Sequence, residues 1–400
     1  KPGSWVLVIE PTLALIYDQV RRLQEKGIPA AYLTGKNTDS RESILTEVRR
    51  GEIVFLFTTP EQMQKELFQR MVVANHNPWL VVVDEAHCLT EWGSFHFRPA
   101  YRSIGRTIQK MEQRPVIAAM TATAPVRYRL EIMFSLKMRK PCIHEVTLSK
   151  PNLKLIVKDY TLDTSRLDCG GLSKRKAKVE REKMMERNLQ ARLKEMVRLT
   201  RKYLSEGSVI VYATTRSTVE HVYEYLKEQD DLKGKVAKYH AGLRQEKKEK
   251  VLVSFFSGKK KIIVATSAFG MGIDKTDVRL VLNFEVPLSP VEWYQQIGRA
   301  GRDGETAHAV LFYRDEDVER NRALLGDKRV MQEIENLSDK QKEIQVYDIK
   351  QAIDRLESLA SLVHSDTCLM QELLKYLGEK NPPVCGHCTV CQRNRKKKGV

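Results

Sequence analysis

The feature that most constrains this fold is a recurring alternation of short apolar runs and segments with helical periodicity. The first part of the sequence carries four such runs, SWVLVIEP, IVFLFTTP, WLVVVDEAH and VIAAMTATA, and Ala30–Leu33 is also strand-like. Strands that are apolar on both faces are typical of a parallel sheet that helices cover on both sides. A second series with the same alternation follows, so the sequence predicts an α/β protein with two stacked lobes of similar size.

The sequence predicts three parts along the chain. They are a first lobe over residues 1–150, a second lobe over 151–315, and a helical module with a basic tail over 316–400. A charge-rich stretch at about 164–190 has no clear apolar stripe, so we predict a solvated helix or a flexible insertion in the second lobe. This insertion is a candidate contact surface for a protein partner.

Lysine and arginine total 68 against 51 aspartate and glutamate residues, which gives a formal net charge of +17. Such an excess favours nucleic acid first and an anionic membrane surface second, although a merely basic surface would carry the same charge. The longest apolar runs are strand-sized and fall well short of the roughly 20 residues that span a bilayer. The sequence therefore favours a nucleic-acid-binding protein without a membrane span or a secretory signal.

Two adjacent carboxylates, Asp84 and Glu85, directly follow an apolar run. In an open α/β sheet, ligands bind at the carboxyl ends of the strands. Asp84 is therefore a candidate Mg²⁺ ligand beside a nucleotide phosphate, and Glu85 is a candidate base that orients or deprotonates the attacking water. The alternative is an acidic turn that caps a helix.

A second candidate site is the block QQIGRAGRDG over residues 295–304. Its arginines, Arg299 and Arg302, have small neighbours that leave room for a ligand, and the planar guanidinium suits phosphate oxygens. The alternative is a basic turn paired with surface acids, which the length of the block disfavours. Upstream, a glycine-punctuated loop ends in Asp274, a candidate contact for a nucleotide hydroxyl or an arginine unless the loop is only a flexible connection.

Four of the seven cysteines cluster near the end of the chain, and an odd total does not suit a secreted disulfide framework. The four are Cys368, Cys385, Cys388 and Cys391. A C-x2-C turn presents two thiolates to one ion, and four thiolates complete a tetrahedral shell, so we predict a structural Zn²⁺ site. A redox cluster is the alternative, and His387 is predicted not to be a ligand.

Several motifs in a fixed order make the chain resemble superfamily 2 helicases and, more closely, the RecQ-type DNA helicases. They are DEAH at 84–87, TAT at 121–123, YHAGL at 239–243, ATSAFGMGID at 265–274 and QQIGRAGRDG at 295–304. The segments 11–19 and 58–62 resemble early motifs of the family, and HCLTEWGSFHFRPAY at 87–101 resembles its aromatic-rich loop. The cysteine arrangement resembles the zinc-binding module of the family, so the resemblance covers nearly the whole chain.

The resemblance implies two RecA-like lobes with ATP in the cleft between them. Asp84 and Glu85 would hold Mg²⁺ and activate water, and Arg299 and Arg302 would reach ATP from the second lobe, with Arg302 as the arginine finger. Further residues would sense the nucleotide or couple it to lobe closure: His87, Thr121, Thr123, Gly272, Asp274 and Gln295. Residues of the aromatic-rich loop would couple single-stranded DNA to hydrolysis: Trp92, Phe97 and Arg98.

The sequence also departs from the family pattern. It contains no G-x-x-x-x-G-K-[ST] phosphate loop, so we expect that loop in a segment upstream of residue 1 rather than a degenerate ATPase. The aromatic-rich loop reads WGSFHFRP where the family usually has WGHDFRP, which makes it one residue longer. The winged-helix and further C-terminal modules common in the family are not expected within these residues.

The main hypothesis is an ATP-dependent DNA helicase that moves 3′ to 5′ along single-stranded DNA and unwinds duplex DNA in recombination, repair or defence. The alternative is a non-hydrolysing nucleic-acid clamp or scaffold. An RNA helicase is a third possibility, which the cysteine module and the aromatic-rich loop disfavour. The expected cofactors are ATP, Mg²⁺ and Zn²⁺, and the expected location is intracellular: cytoplasm or nucleoid in a bacterium, nucleus in a eukaryote.

Overall fold

The computed structural model describes residues 4–35, 37, 40–91, 99–163, 174–270, 274–326 and 338–397. It divides into two compact units, residues 1–147 and residues 148–400. Each unit is built on one sheet, and all strand pairs of both sheets are parallel. The predicted α/β class with two parallel-sheet lobes is therefore confirmed.

The first unit has a five-stranded sheet with the order β2-β3-β1-β4-β5. Its strands are β1 (Val6–Ile9), β2 (Ala30–Leu33), β3 (Phe55–Thr58), β4 (Leu80–Val83) and β5 (Val116–Ala119). Successive residues of the central strand β1, Leu7 and Val8, are both buried. Because neighbouring side chains of a strand point to opposite faces, both faces of β1 are covered, as the apolar runs predicted.

Seven helices are described in the first unit, and a π-helical turn, Gln69–Val73, follows the fourth of them. They are α1 (Leu13–Glu25), α2 (Arg41–Arg50), α3 (Pro60–Met63), α4 (Glu66–Phe68), α5 (Cys88–Glu91), α6 (Ala100–Gln109) and α7 (Val126–Ser135). Helix α2 ends at Gly51, whose φ of 76° suits glycine at a helix end. Ser40 occupies the predicted N-cap position of α2, but its side chain makes no capping hydrogen bond.

The second unit has a six-stranded sheet with the order β6-β11-β10-β7-β9-β8. Its strands are β6 (Leu153–Asp159), β7 (Ser208–Tyr212), β8 (Val236–Tyr239), β9 (Ile262–Ala265), β10 (Val278–Asn283) and β11 (Ala307–Tyr313). Its described helices are α8 (Lys174–Leu204), α9 (Arg216–Lys227), α10 (Gln245–Phe256), α11 (Pro290–Ile297), α12 (Asp315–Leu325), α13 (Asp339–Val363), α14 (Leu369–Tyr376) and α15 (Thr389–Lys397).

Helix α8 begins within the charge-rich stretch that the sequence marked as an insertion. Its first half is mainly exposed, whereas Leu193 and Met196 in its second half are fully buried in the core of the second unit. The predicted solvated helix is thus the first part of a 31-residue helix whose later turns pack in the core of the second unit. Among the described residues, no helix combines the length and the apolar composition that a membrane span requires.

The outer edge of β6 is covered by the segment that leads into α15. Strand β6 lies at the end of its sheet, so one side of its backbone has no strand partner. The amide of Val157 donates a hydrogen bond to Thr389 Oγ1 at 2.9 Å, and His387 Nε2 lies 3.0 Å from the carbonyl oxygen of Leu153. These side chains satisfy backbone groups that an open sheet edge would expose.

We predict that Thr389→Val lowers the free energy of unfolding of the second unit by about 1 kcal/mol, because valine has the shape of threonine but cannot accept the Val157 hydrogen bond. Hydrogen exchange should show faster exchange of the Val157 amide. Thr276→Val, at an exposed position, is the control. Unchanged protection of the Val157 amide in Thr389→Val would show that the edge contact contributes nothing.

Candidate functional site

Asp84 and Glu85 lie at the carboxyl edge of the first sheet, directly after β4. The amide of Asp84 donates to the carbonyl of Ile9 at 3.1 Å, which extends the pairing of β4 with β1 by one residue. The Asp84 carboxylate accepts a hydrogen bond from the amide of Glu85 at 2.8 Å. Glu85 has a φ of 46°, in the left-handed region that non-glycine residues rarely adopt, and such strain concentrates at functional sites.

His87 connects Glu85 to the TAT segment. Its side chain is 2% exposed, and its Nδ1 lies 3.2 Å from Glu85 Oε2 and 3.1 Å from Thr121 Oγ1. The Thr121 hydroxyl donates to the carbonyl of Thr123 at 3.1 Å and accepts from the amide of Thr123 at 3.2 Å. A series of polar contacts therefore runs from the Glu85 carboxylate to Thr123 and joins four of the residues that the resemblance singled out in this unit.

Glu10 is a site residue that the sequence analysis missed. It follows β1 as Asp84 follows β4, and the register pairs Ile9 with Val83, so the two carboxyl groups lie side by side. Glu10 is fully buried, and Gln19 Nε2 donates to its Oε1 at 2.7 Å. Burial first, and the neighbouring Asp84 second, raise the pKa of Glu10 to about 9, so it carries a proton at neutral pH.

Asp84 also has a raised pKa, chiefly because burial disfavours its charged form. A neutral Glu10 beside it can donate a hydrogen bond to the Asp84 carboxylate, which leaves one negative charge on the pair rather than two. The sequence did carry a signal for Glu10. An acid directly follows the first apolar run, just as Asp84 directly follows a later apolar run.

Four of the residues implied by the resemblance lie outside the described residues. They are Trp92, Phe97 and Arg98 of the aromatic-rich loop, and Gly272 of the glycine-punctuated loop. Their assignments to DNA coupling and nucleotide sensing stay predictions.

Arg299 and Arg302, the two candidate arginines of the second unit, lie on a turn that follows α11. The helix is capped by Ser289, whose hydroxyl accepts from the amide of Glu292 at 3.0 Å. Gln295 lies half-buried on α11, one turn before Arg299. We call residues 298–305 the arginine turn; Gly301 and Gly304 within it have φ values of 62° and 86°. These backbone angles favour glycine, which explains the glycine spacing of the motif.

Arg302 and Asp274 form an ion pair, with Arg302 Nη1 2.9 Å from Asp274 Oδ1. The contact joins two residues that the sequence placed in separate candidate motifs. Arg299 is 8% exposed, and its Nη2 lies 3.1 Å from the point where a side chain at Gly270 would begin. A side chain at Gly270 would therefore fit only if the buried guanidinium moved by a few tenths of an ångström.

Lys150 and Asn152 hold the arginine turn from the segment that precedes β6. Lys150 Nζ donates to the carbonyl of Gly298, and Asn152 Nδ2 donates to the carbonyls of Gly301 and Glu305 at 2.8 and 2.9 Å. Burial first, and then the charges of the two arginines, lower the pKa of Lys150 to about 8. Neither residue was singled out from the sequence, because both lie far from the turn along the chain.

The four cysteines form one cluster in the second unit, and their Sγ atoms all lie within 4.8 Å of one another. Cys368 Sγ is 3.4 Å from Cys385 Sγ and 4.0 Å from Cys388 Sγ. These separations are too long for a disulfide bond of about 2.05 Å, and they match the roughly 3.8 Å edges of a tetrahedron with Zn–S bonds of about 2.3 Å. The donor set therefore fits zinc, and His387, within this cluster in sequence, contacts the carbonyl of Leu153 instead.

Three family models match successive stretches of the chain. The model described as "DEAD/DEAH box helicase" matches residues 1–132, and "Helicase conserved C-terminal domain" matches residues 188–304. "RecQ zinc-binding" matches residues 315–392, which include all four clustered cysteines. The matches follow the order of the motifs along the sequence.

Relatives match almost the whole chain. The "ATP-dependent DNA helicase RecQ" of Bacillus subtilis is 32% identical over 393 residues, which cover 97% of this chain and 58% of that protein. The "RecQ-like DNA helicase BLM" of Xenopus laevis is 33% identical over 404 residues, which cover 96% of this chain and 26% of that protein. The chain thus spans about half the length of the bacterial relative and less of the frog protein.

Solved structures support the fold. The Mycobacterium smegmatis helicase Lhr bound to ssDNA and AMP-PNP has a TM-score of 0.57 at 17% identity, covering 92% of this chain and 50% of that chain. The helicase MrfA bound to DNA has a TM-score of 0.59 at 16% identity, covering 78% and 42%. The chain thus carries DEAD/DEAH box helicase, helicase C-terminal and RecQ zinc-binding matches in sequence order, and over nearly its whole length it is similar, at about one-third identity, to RecQ-type DNA helicases.

Proposed function

We propose that this chain is the motor core of an ATP-dependent DNA helicase that moves 3′ to 5′ on single-stranded DNA and unwinds duplex DNA. The observation that carries the proposal is the contact series from Glu85 through His87 to Thr121, at the sheet edge where α/β proteins bind ligands. The direction of movement, and a task in recombination, repair or defence, come from the family resemblance.

In this proposal, Glu85 accepts a proton from the water that attacks the terminal phosphate of ATP. Asp84 is the residue that would hold Mg²⁺, which neutralises phosphate charge when it is bound. His87 contacts both Glu85 and Thr121, so a movement of the TAT segment would shift the Glu85 carboxylate. Through these two contacts, the conformation of the TAT segment would control the position of Glu85 and hence the rate of ATP hydrolysis.

The arginines would stabilise the charge of the transferring phosphoryl group. Arg302 would exchange the Asp274 carboxylate for a phosphate oxygen, which costs little because the Asp274 side chain is 55% exposed. Three cations, Lys150, Arg299 and Arg302, are close enough for the arginines to lower the pKa of the lysine. An anionic phosphate would relieve this repulsion, which favours a nucleotide at the arginine turn.

Hydrolysis also requires a phosphate-binding loop, and the 400 residues contain no G-x-x-x-x-G-K-[ST] motif. We propose that the full-length gene product supplies it on a further strand beside β5. Strand β5 is at the edge of its sheet, and Val116 on it is 57% exposed. An apolar strand with an open edge is a favourable place for another parallel strand to pair.

We predict that Glu85→Gln in the full-length gene product lowers DNA-stimulated ATP hydrolysis at least about 100-fold, because glutamine cannot accept the proton. Binding of ATP and of DNA should persist, because the substitution keeps the side-chain shape. The rate of phosphate release measures the effect. Glu112→Gln, at an exposed position of the same unit, is the control and should hydrolyse ATP at the parent rate.

The same assay separates the helicase from a non-hydrolysing clamp. A clamp would bind DNA without any DNA-stimulated hydrolysis in the parent protein. If the parent hydrolyses ATP and Glu85→Gln does so equally fast, the assignment of the first-unit site is wrong.

We predict that Asn152→Ala lowers kcat for ATP hydrolysis about tenfold with little change in KM, because the arginine turn loses two of the hydrogen bonds that orient it and misplaced catalytic groups act poorly on the transition state. Lys154→Ala, at an exposed position of β6, is the control. A larger effect on KM than on kcat would indicate that the turn serves binding rather than catalysis.

For the cysteine cluster, we predict about one zinc ion per chain by metal analysis. Cys388→Ser should lose that ion and destabilise the α14–α15 region, because three thiolates leave the tetrahedral shell incomplete. Cys142→Ser is the matched control, since Cys142 is exposed and lies outside the cluster. A zinc-free parent protein that is fully folded would refute the metal site.

A further inference from the structure

The exposed first half of α8 has no part in the ATP chemistry proposed above. Asn188 Nδ2 donates to the carbonyl of Tyr160 at 2.6 Å, and Tyr160 directly follows β6 at the carboxyl edge of the second sheet. After Asn188 the helix packs along the sheet, where Leu193 is fully buried. The residues before Asn188 therefore project past that edge, over about 20 Å at a rise of about 1.5 Å per residue. We call residues 175–187 the projecting helix.

Cations outnumber acids on the projecting helix. It holds six lysines and arginines and three glutamates, which gives a formal net charge of +3. All six cations are exposed: Arg175, Lys176, Lys178, Arg181, Lys183 and Arg187. The first turn of α8 contains no acidic residue, although the partial positive charge at the amino end of a helix repels cations. A bound polyanion would offset that repulsion.

The six cations fall into two rows on opposite sides of the helix. Residues three, four or seven positions apart lie on the same side of an α-helix. The first row is Arg175, Lys178 and Arg181. The second row is Lys176, Lys183 and Arg187. At about 100° per residue, the two rows are centred about 160° apart.

The two sides between the rows differ in character. Glu182 and Glu186 lie on one of them, and Ala177 and Met184 lie on the other. Met184 is about 180° around the helix from the buried Leu193, so its side of the helix faces away from the core of the second unit. The side with Ala177 and Met184 is thus bordered by a row of cations on each flank, and the two acids lie behind it.

The exposed apolar residues of the projecting helix do not form a stripe that could dock in a protein groove. Val179 and Met185 are 44% and 41% exposed and lie about 120° apart around the helix. In the second row, Lys183 and Arg187 lie 3.8 and 3.1 Å from the Glu180 carboxylate, but exposed ion pairs contribute little and can be exchanged for a phosphate. The projecting helix therefore suits a polyanion better than an apolar partner.

We propose that the projecting helix binds in the major groove of duplex DNA. The groove is about 12 Å wide, and an α-helix with its side chains is about 10–12 Å across. In this arrangement the two rows face the two phosphate backbones that border the groove, and Ala177 and Met184 face the base edges. Neither of these side chains can donate a hydrogen bond to a base, so we expect little sequence preference. The inference rests on the DNA motor proposed above only for its ligand class.

Titration of a blunt DNA duplex at several salt concentrations tests the first row. Arg175→Gln, Lys178→Gln and Arg181→Gln are combined in the full-length gene product as the first-row variant, because glutamine keeps the helix propensity. We expect at least about tenfold weaker duplex binding near 0.1 M salt. The salt slope should be smaller by about 2.7, since each lost phosphate contact on B-DNA accounts for about 0.9.

The matched control removes the same charge from the later half of α8. It combines Lys194→Gln, Arg201→Gln and Lys202→Gln, at three exposed positions outside the projecting helix. The control should bind the duplex with the parent affinity and slope. Both variants should bind single-stranded oligothymidylate as the parent does, because a single strand has no major groove.

Methylation by dimethyl sulfate locates the contact, because guanine N7 lies in the major groove. The parent protein should protect N7 of guanines in part of the duplex. The first-row variant should not protect them at the same protein concentration.

Three results would each overturn the proposal. The first is a first-row variant that binds the duplex with the parent affinity and slope. The second is an equal loss of duplex and oligothymidylate binding, which would indicate a surface for any polyanion. The third is a parent protein that leaves N7 unprotected, which would place the contact outside the major groove. A parent protein without DNA-stimulated ATP hydrolysis would refute the motor, whereas a selective loss of duplex binding in the first-row variant would still support the groove site.

Discussion

Parallel strand pairing is the constraint on which the rest of the structure depends. Because all strands of a sheet run the same way, their carboxyl ends meet at one edge and bring residues from distant loops together. The pairing of Ile9 with Val83 sets Glu10 beside Asp84 in the first unit. In the second unit, the pairing of β6 with β11 sets Asn152 beside the arginine turn. The positions of the candidate site residues therefore depend on strand register as much as on the sequence motifs.

The parts that the sequence predicted are those that local pattern determines. Strands β1 and β4 were predictable because each is a compact apolar run, and the turn after β4 because two acids follow at once. The cysteine cluster was predictable because C-x2-C spacing constrains sulfur positions within one turn. In each case most of the residues that decide the structure lie within a few positions of one another, and Cys368, 17 positions before Cys385, is the exception.

The parts that the sequence did not reveal depend on contacts between distant residues. The raised pKa of Glu10 requires burial and a neighbour 74 positions away, and neither shows in the local pattern. The bonds from Asn152 to the arginine turn depend on the pairing of β6 with β11. For helix α8 the sequence analysis predicted only the solvated first part. Charged residues dominate that part, and the apolar residues that pack in the core, such as Met196, lie in the later turns.

The same pairing also ties the cysteine cluster to the arginine turn. His387, between the cysteines, contacts the carbonyl of Leu153, and the preceding residue, Asn152, holds the carbonyls of Gly301 and Glu305. The two sites are thus supported by adjacent residues of one short segment, although more than 60 residues separate them along the chain. Close-packed protein interiors transmit strain. A displacement of the cysteine loop would therefore disturb the arginine turn more than it would disturb β8 at the opposite edge of the sheet.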